Sequence, residues 1–99
     1  MTIMLILITY DVDTTTKAGE KRLRKVAKEC VNYGQRVQNS VFECVLTEVQ
    51  FVALKAILSS LIDDTTDSIR FYFLGNNWQR KIEILGKMTS FDPTETLII

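Results

Sequence analysis

The stretch Ile3–Asp13 reads Ile-Met-Leu-Ile-Leu-Ile-Thr-Tyr-Asp-Val-Asp, and the rest of the chain is interpreted around it. Its first six residues form an unbroken apolar run, which is short and rich in isoleucine and therefore indicates a strand buried on both faces. Asp11 and Asp13 follow at i and i+2, a spacing that places both carboxylates on one side if the strand continues. Two interpretations stay open here: a carboxylate fixed for chemistry at the end of a rigid strand, or an aspartate that caps the next helix.

Length and composition limit the kinds of site that this chain can form. A chain of 99 residues makes one domain, and no apolar run approaches the roughly 20 residues that a membrane helix needs. The N-terminus has no basic segment and no cleavage site, so we expect a cytoplasmic protein without a membrane segment. The absence of histidine excludes Ser-His-Asp and Cys-His catalysis as well as histidine-based metal sites. Cys30 and Cys44 are expected to be buried thiols.

The net charge is zero, but the charges are unevenly distributed along the chain. Seven basic residues lie between Lys17 and Arg36, against only Glu20 and Glu29, whereas the segment 43–67 is acidic. A basic region of this kind can bind phosphates while the remaining surface keeps the protein soluble. The competing interpretation is a solvated helix face without a binding role.

Helical periodicity predicts two helices. The first covers about 17–33, and Gly34 just beyond it is expected to close the helix in the left-handed conformation. The residues 47–50 read Thr-Glu-Val-Gln, which fits a capping box at the start of the second helix. The acidic segment 63–67 then interrupts the pattern and is expected to be a turn-forming loop, with metal binding as the alternative.

The remaining apolar segments predict strands. Gln35–Leu46 is extended in character, and Asn39-Ser40 forms either a tight turn between two strands or a bulge in one bent strand. Ser68–Leu74 alternates as a strand does, with Ile, Phe and Phe on one face. The segment 80–86 fits a short strand or a helical turn. The apolar tail 96–99 is expected to add a strand to a sheet edge, in the same chain or in a partner.

The order strand, helix, strand or strand pair, helix, strand is the split βαβ pattern of a ferredoxin-like sandwich. This is an α+β fold in which two helices pack on one face of an antiparallel sheet. We expect one ferredoxin-like domain over 1–99, with 76–99 as a C-terminal extension that packs on a dimer partner. The other sheet face must be covered or polar, and a second copy is the expected cover in a two-fold homodimer.

Four segments of the chain, taken together, resemble a known family. They are Tyr10-Asp11-Val12, Arg22-Leu23-Arg24, Gly34-Gln35-Arg36-Val37-Gln38-Asn39-Ser40-Val41-Phe42-Glu43, and Asp67-Ser68-Ile69-Arg70-Phe71-Tyr72-Phe73-Leu74. The combination resembles CRISPR-associated (Cas) protein family two, the partner of the CRISPR integrase in spacer acquisition. The resemblance covers nearly the whole chain, and the family's ferredoxin-like fold and homodimer agree with the pattern described above.

The resemblance implies a metal-dependent endonuclease acting on double-stranded DNA or single-stranded RNA. The alternative is a non-catalytic DNA-binding scaffold dimer that bridges the CRISPR integrase. Asp11 matches the family's metal-binding aspartate, and two copies in a dimer would share one Mg²⁺, which takes oxygen ligands and keeps several waters. Asp13 matches no family position and is interpreted as a supporting or capping group. A third hypothesis, from the fold alone, is a regulatory or small-ligand module.

Other positions of the chain match functional positions of the family. The resemblance assigns catalysis to Tyr10 beside Asp11, and nucleic-acid binding to four residues: Arg22, Arg24, Arg36 and Phe42. Arginine suits this role because its guanidinium binds phosphate through two parallel hydrogen bonds. An ion pair with a nearby carboxylate is the alternative for Arg36, and a place in the core is the alternative for both aromatic residues.

Overall fold

The computed structural model describes residues 3–74 and 81–87, which form one antiparallel sheet and two helices. The strands are β1 (Ile3–Asp11), β2 (Gly34–Gln38), β3 (Val41–Thr47), β4 (Ser68–Phe73) and β5 (Lys81–Gly86), and the helices are α1 (Lys17–Tyr33) and α2 (Glu48–Leu61). The sheet order is β2-β3-β1-β4-β5, so β1, which contains the first apolar run of the chain, is the central strand. This arrangement confirms the predicted α+β ferredoxin-like sandwich.

The two faces of β1 differ in burial. Ile6 and Ile8 face the helices and are completely buried, as alternation along a strand requires. Ile3 and Leu5 lie on the opposite face and expose 63% and 37% of their surface. The predicted burial on both faces is therefore wrong within a single chain, where helices cover one face only.

The hydrophobic core lies between the helices and the covered face of the sheet. α1 contributes Val26 and Cys30, α2 contributes Leu54 and Leu58, and Cys44 on β3 packs in the same cluster. Both cysteines are free thiols, as predicted. Burial raises the pKa of Cys30 to about 12 and that of Cys44 to about 11, so both thiols stay protonated.

Both helices begin at a threonine cap. The side-chain oxygen of Thr16 accepts a hydrogen bond from the backbone N–H of Gly19 at 3.0 Å, so a threonine caps α1 rather than either aspartate. At α2 the predicted capping box is confirmed: Gln50 N donates to Thr47 Oγ1 at 3.2 Å, and Thr47 N donates to Gln50 Oε1 at 2.9 Å. Within the described ranges, neither helix is long and apolar enough to cross a membrane.

Gly34 has a different role from the predicted one. Its φ of −158° and ψ of −166° are extended, and the residue begins β2 instead of closing α1 in the left-handed conformation. A Cβ at this position would overlap the sulfur of Cys44 and the carbonyl oxygen of Glu43 on β3. The glycine is therefore required by the close approach of two strands, and the predicted conformation was wrong.

The connections after α1 and after β4 settle two alternatives. Asn39 and Ser40 form a turn between β2 and β3, and the strand register shifts between Arg36 and Gln38. Residues 81–86 form a strand, which pairs with β4 of the same chain. Packing of the 76–99 extension on a partner stays a prediction, and the tail 96–99 lies outside the described residues.

Replacing Gly34 with alanine is predicted to lower the free energy of unfolding by about 1–3 kcal/mol, the usual cost of forcing an extra carbon into a packed interior. Urea denaturation of Gly34→Ala and of Gln38→Ala, a control at an exposed position of the same strand, measures the difference. An unchanged midpoint in Gly34→Ala would contradict the close contact between β2 and β3.

Candidate active site

Asp11 is the last residue of β1, and its side chain is exposed on the sheet face that the helices leave uncovered. In the sheet it lies opposite Ser68 of β4, two pairs beyond the pair formed by Thr9 and Arg70 and therefore on the same face as that pair. These four residues, with Tyr10, line a shallow depression of about 120 Å³. The register of β1 and β4 thus places a carboxylate, two hydroxyls and a guanidinium together at one end of the sheet.

The donor set of this depression fits a magnesium ion only in part. Among the residues that line it, Asp11 supplies the carboxylate, and residues 3–74 and 81–87 contain no group of three or more metal-ligating side chains. Mg²⁺ is commonly bound by one or two carboxylates and completes its octahedron with water and substrate phosphate. One exposed Asp11 therefore fits half of a site shared between two copies. The acidic loop 63–67 shows no such group either.

Tyr10 and Phe42 lie in the core, on the sheet face opposite to Asp11. Their rings stack with centroids 6.1 Å apart, and their exposed fractions are only 6% and 0%. The Tyr10 hydroxyl donates to the carbonyl oxygen of Asn39 at 3.2 Å, and burial raises its pKa, so it stays protonated at neutral pH. The Arg36 guanidinium lies 5.1 Å from the centre of the Phe42 ring. The predicted catalytic and nucleic-acid-binding roles of these residues stay predictions.

Arg22 belongs to a hydrogen-bond network centred on Asp67, a residue for which the sequence predicts no role of its own. Arg22 Nε lies 2.8 Å from Asp67 Oδ2, and Asp67 is completely buried. The Asp67 carboxylate also accepts hydrogen bonds from the backbone N–H groups of Asp13 at 3.0 Å and Asp63 at 2.9 Å, and from the Thr66 hydroxyl at 3.1 Å. These five residues are called the Asp67 network below.

The Asp67 network gives Arg22 a structural role besides the predicted one. Burial raises the pKa of Asp67, but the hydrogen bonds from Arg22 and from the backbone of Asp63 and Asp13 outweigh burial and hold the pKa below its ordinary value. The carboxylate is therefore charged at neutral pH and forms an ion pair with Arg22. A phosphate bound by Arg22 would compete with this ion pair. Nucleic-acid binding by Arg22 stays a prediction.

Asp13 forms a local hydrogen bond just after β1. β1 ends at Asp11, so Asp13 lies beyond the strand, where its Oδ1 accepts a hydrogen bond from Thr15 N at 2.9 Å. This is the local pattern of an aspartate that stabilises a turn.

Arg24 is exposed on α1, in line with the exposed Lys21 and Lys28 at helical spacing. The basic side chains that the sequence places along one line of this helix are thus exposed to solvent.

Asp67→Asn is predicted to reduce stability more at neutral pH than in acid. Since the folded-state pKa of Asp67 lies below its unfolded value of about 3.9, the stabilisation is complete above that value and is lost as the pH falls through the folded-state pKa. Urea denaturation of the wild type and the variant, from neutral pH down to values below the unfolded pKa of about 3.9, measures the difference. Asp64→Asn, in the exposed part of the same loop, is the control. A difference that does not change with pH would contradict the charged pair.

The chain matches the family model of CRISPR associated protein Cas2 over residues 4–82. It is 58% identical over 95 residues to the CRISPR-associated endonuclease Cas2 of Halalkalibacterium halodurans, which covers 96% of this chain and 99% of that protein. It is 53% identical over 96 residues to the CRISPR-associated endoribonuclease Cas2 of Chlorobaculum tepidum, covering 97% and 100%. The crystal structure of Streptococcus pyogenes Cas2 matches with a TM-score of 0.70 and 66% identity, over 77% of this chain and 92% of that chain. The chain therefore belongs to the Cas2 family of CRISPR-associated nucleases.

Proposed function

We propose that this protein is a magnesium-dependent endonuclease in which two copies form a homodimer and share one ion between their Asp11 carboxylates. The observation that carries the proposal is the position of Asp11, exposed at the end of a central strand that β3 and β4 fix on both sides. The names of the relatives, endonuclease and endoribonuclease, support phosphodiester hydrolysis as the reaction. Double-stranded DNA and single-stranded RNA are the two candidate substrates.

The uncovered face of the sheet supports the homodimer. Val45 on β3 pairs with Leu5 on this face and exposes 62% of its surface, close to the value for Ile3. Contiguous apolar exposure of this kind marks an interaction surface more often than a solvated one. A second copy would cover it with the same residues, as a two-fold interface requires, and each copy would supply one Asp11.

The chain's own residues would bind and orient the substrate around Asp11. Ser68 can donate its hydroxyl proton to a phosphate oxygen, and Arg70, which lines the same depression, adds positive charge. When bound, Mg²⁺ would supply Lewis-acid polarisation of a phosphoryl oxygen and a water of lowered pKa. Asp11 would hold the ion with one carboxylate from each copy, which leaves the other positions for water and phosphate.

The exposed basic surface of α1 supports nucleic-acid binding. Lys21, Arg24 and Lys28 form one line along the helix, and Arg36 on β2 is exposed as well. Basic side chains that contact phosphates bind without sequence preference, and their affinity falls as salt rises. Such a surface accounts for a nucleic-acid partner without specifying DNA or RNA.

The alternative function is a non-catalytic scaffold dimer that binds DNA and bridges the CRISPR integrase during spacer acquisition. The sparse set of catalytic groups favours it, because each chain offers one carboxylate at the depression and no histidine that could serve as a base. The two functions share the basic surface of α1 but differ in their need for Asp11. Either one would act in the cytoplasm, beside its nucleic-acid substrate.

Asp11→Ala is predicted to reduce magnesium-dependent cleavage of a short duplex strongly, because it removes the proposed metal ligand itself. Loss of a residue that only supports a metal ligand costs roughly 10–100-fold, and the loss in Asp11→Ala should be larger than that. The measurement compares cleavage of DNA and of single-stranded RNA with magnesium and with chelator. Asp64→Ala, at an exposed aspartate of the 63–67 loop, is the matched control and should cut normally. Size-exclusion chromatography checks that both variants keep the same oligomeric state.

Each result of this comparison selects one function. Cleavage that needs magnesium and disappears in Asp11→Ala supports the shared-metal endonuclease. Equal cleavage by the variant and the wild type would show that Asp11 is not the metal-binding group. If neither protein cuts and both bind the duplex, the scaffold function replaces the endonuclease.

Arg24→Gln is predicted to weaken duplex binding and to lessen its salt dependence. Each phosphate contact that is lost should reduce the slope of log K against log salt by about 0.9 for double-stranded DNA. Lys55→Gln is the control, because Lys55 lies on α2 and pairs with Glu83. Binding measured by fluorescence anisotropy at several salt concentrations gives both slopes. Equal changes in the two variants would contradict a specific role for the α1 surface.

A further inference from the structure

Asp67 and Ser68 together fix the point at which the chain leaves β1. Ser68 lies opposite Asp11 in the ladder between β1 and β4. Two residues after Asp11, the backbone N–H of Asp13 donates to Asp67 Oδ1 at 3.0 Å. The segment 11–13 is therefore held at both ends by two consecutive residues, once through the sheet and once through a buried side chain.

Other contacts restrict the same segment from different sides. Gly19, in the first turn of α1, lies so close to Asp13 that a Cβ on the glycine would overlap the Asp13 carbonyl oxygen. Val12, between the two aspartates, is part of the hydrophobic core. Asp13 therefore has its N–H bound by Asp67 and its carbonyl oxygen packed against Gly19. The position of Asp13 therefore restricts the backbone conformation that follows Asp11.

Asp67 is itself held by several elements. Its carboxylate binds Arg22 of α1 at 2.8 Å and the N–H of Asp63, after α2, at 2.9 Å. Its backbone N–H donates to the Asp63 carbonyl oxygen at 2.8 Å, and its own carbonyl oxygen accepts from Lys87 N, after β5, at 2.7 Å. Gly86, with a φ of 88°, brings β5 so close that a Cβ there would overlap the Asp67 carbonyl oxygen. A buried group with this many partners has one position.

From these contacts we infer that Asp67 is a positioning residue for Asp11. By accepting the Asp13 N–H, Asp67 fixes the backbone of the segment 11–13 and with it the direction of the Asp11 carboxylate towards a metal ion. Asp67 does not itself contact the ion. The inference rests on the proposed function, in which Asp11 is the metal ligand. Groups that orient a metal ligand from behind commonly change metal affinity by about 10–100-fold.

Asp67→Asn tests the inference with little change in side-chain size. The amide keeps one acceptor oxygen where the carboxylate has two and carries no charge, so it cannot accept from Asp13, Asp63 and Arg22 together. Thr47→Ala is the control, because it removes the cap of α2 without touching the Asp67 network. It lowers stability by a separate route, so it shows what instability alone does to metal binding.

The first readout requires no enzyme activity. Mn²⁺, a paramagnetic substitute for Mg²⁺, is titrated into the isotope-labelled dimer, and broadening of the Asp11 backbone signal reports metal binding beside that residue. Hydrogen exchange of the Asp13 amide reports its bond to Asp67. In Asp67→Asn we expect an Mn²⁺ midpoint raised about tenfold and faster Asp13 exchange. In Thr47→Ala both quantities should match those of the wild type.

The second readout is the magnesium concentration at half-maximal cleavage, which should rise by the same factor in Asp67→Asn. Unchanged metal affinity in Asp67→Asn, or an equal loss in Thr47→Ala, would overturn the inference. Failure of the proposed function looks different: the wild type itself would then show no Mn²⁺ broadening at Asp11, and the inference would fall with it. Binding by the wild type with loss in Asp67→Asn alone supports both.

Discussion

The alternation of side chains along β1 is the constraint on which the rest of the structure depends. Consecutive residues of a strand point to opposite faces, so the strand that buries Ile6 and Ile8 in the core also exposes Asp11 on the other face. Tyr10 and Asp11 are neighbours in the sequence but lie on different sides of the sheet. A slip of one residue in the pairing with β3 or β4 would exchange the two faces. The core therefore determines the register that presents the carboxylate.

The buried charge of Asp67 is explained by the backbone N–H groups around it. Asp13 follows β1 and Asp63 follows α2, and the N–H groups of both residues converge on the Asp67 carboxylate, just before β4. Backbone donors that are buried without an acceptor are costly, and one carboxylate supplies acceptors for both. Desolvation of that carboxylate is costly too, and the Arg22 guanidinium offsets it. The Asp67 carboxylate thus supplies a hydrogen-bond acceptor for two backbone N–H groups that the fold brings together.

Local patterns predicted what depends on neighbouring residues in the sequence. The helix over 17–33, the capping box at Thr47 and the position of Asp11 at a strand end all follow from short-range spacing. The extended conformation of Gly34 does not, because it depends on the Cys44 sulfur of another strand. The burial of Asp67 does not either, since the segment 63–67 contains exposed aspartate as well and nothing local distinguishes them.

The depression around Asp11 required the same long-range information. Ser68 and Arg70 come beside Asp11 only through the register of β1 with β4, which spacing within either strand cannot specify. The lysines and arginines of α1 do not line this depression, because the helix lies on the covered face of the sheet. The basic surface of α1 and the depression around Asp11 thus lie on opposite faces of the sheet. The exposed Lys21, Arg24 and Lys28 are not part of the depression or of the Asp67 network. Arg22 of the same helix differs from them, because it is connected to the end of β1 through Asp67 and the Asp13 N–H.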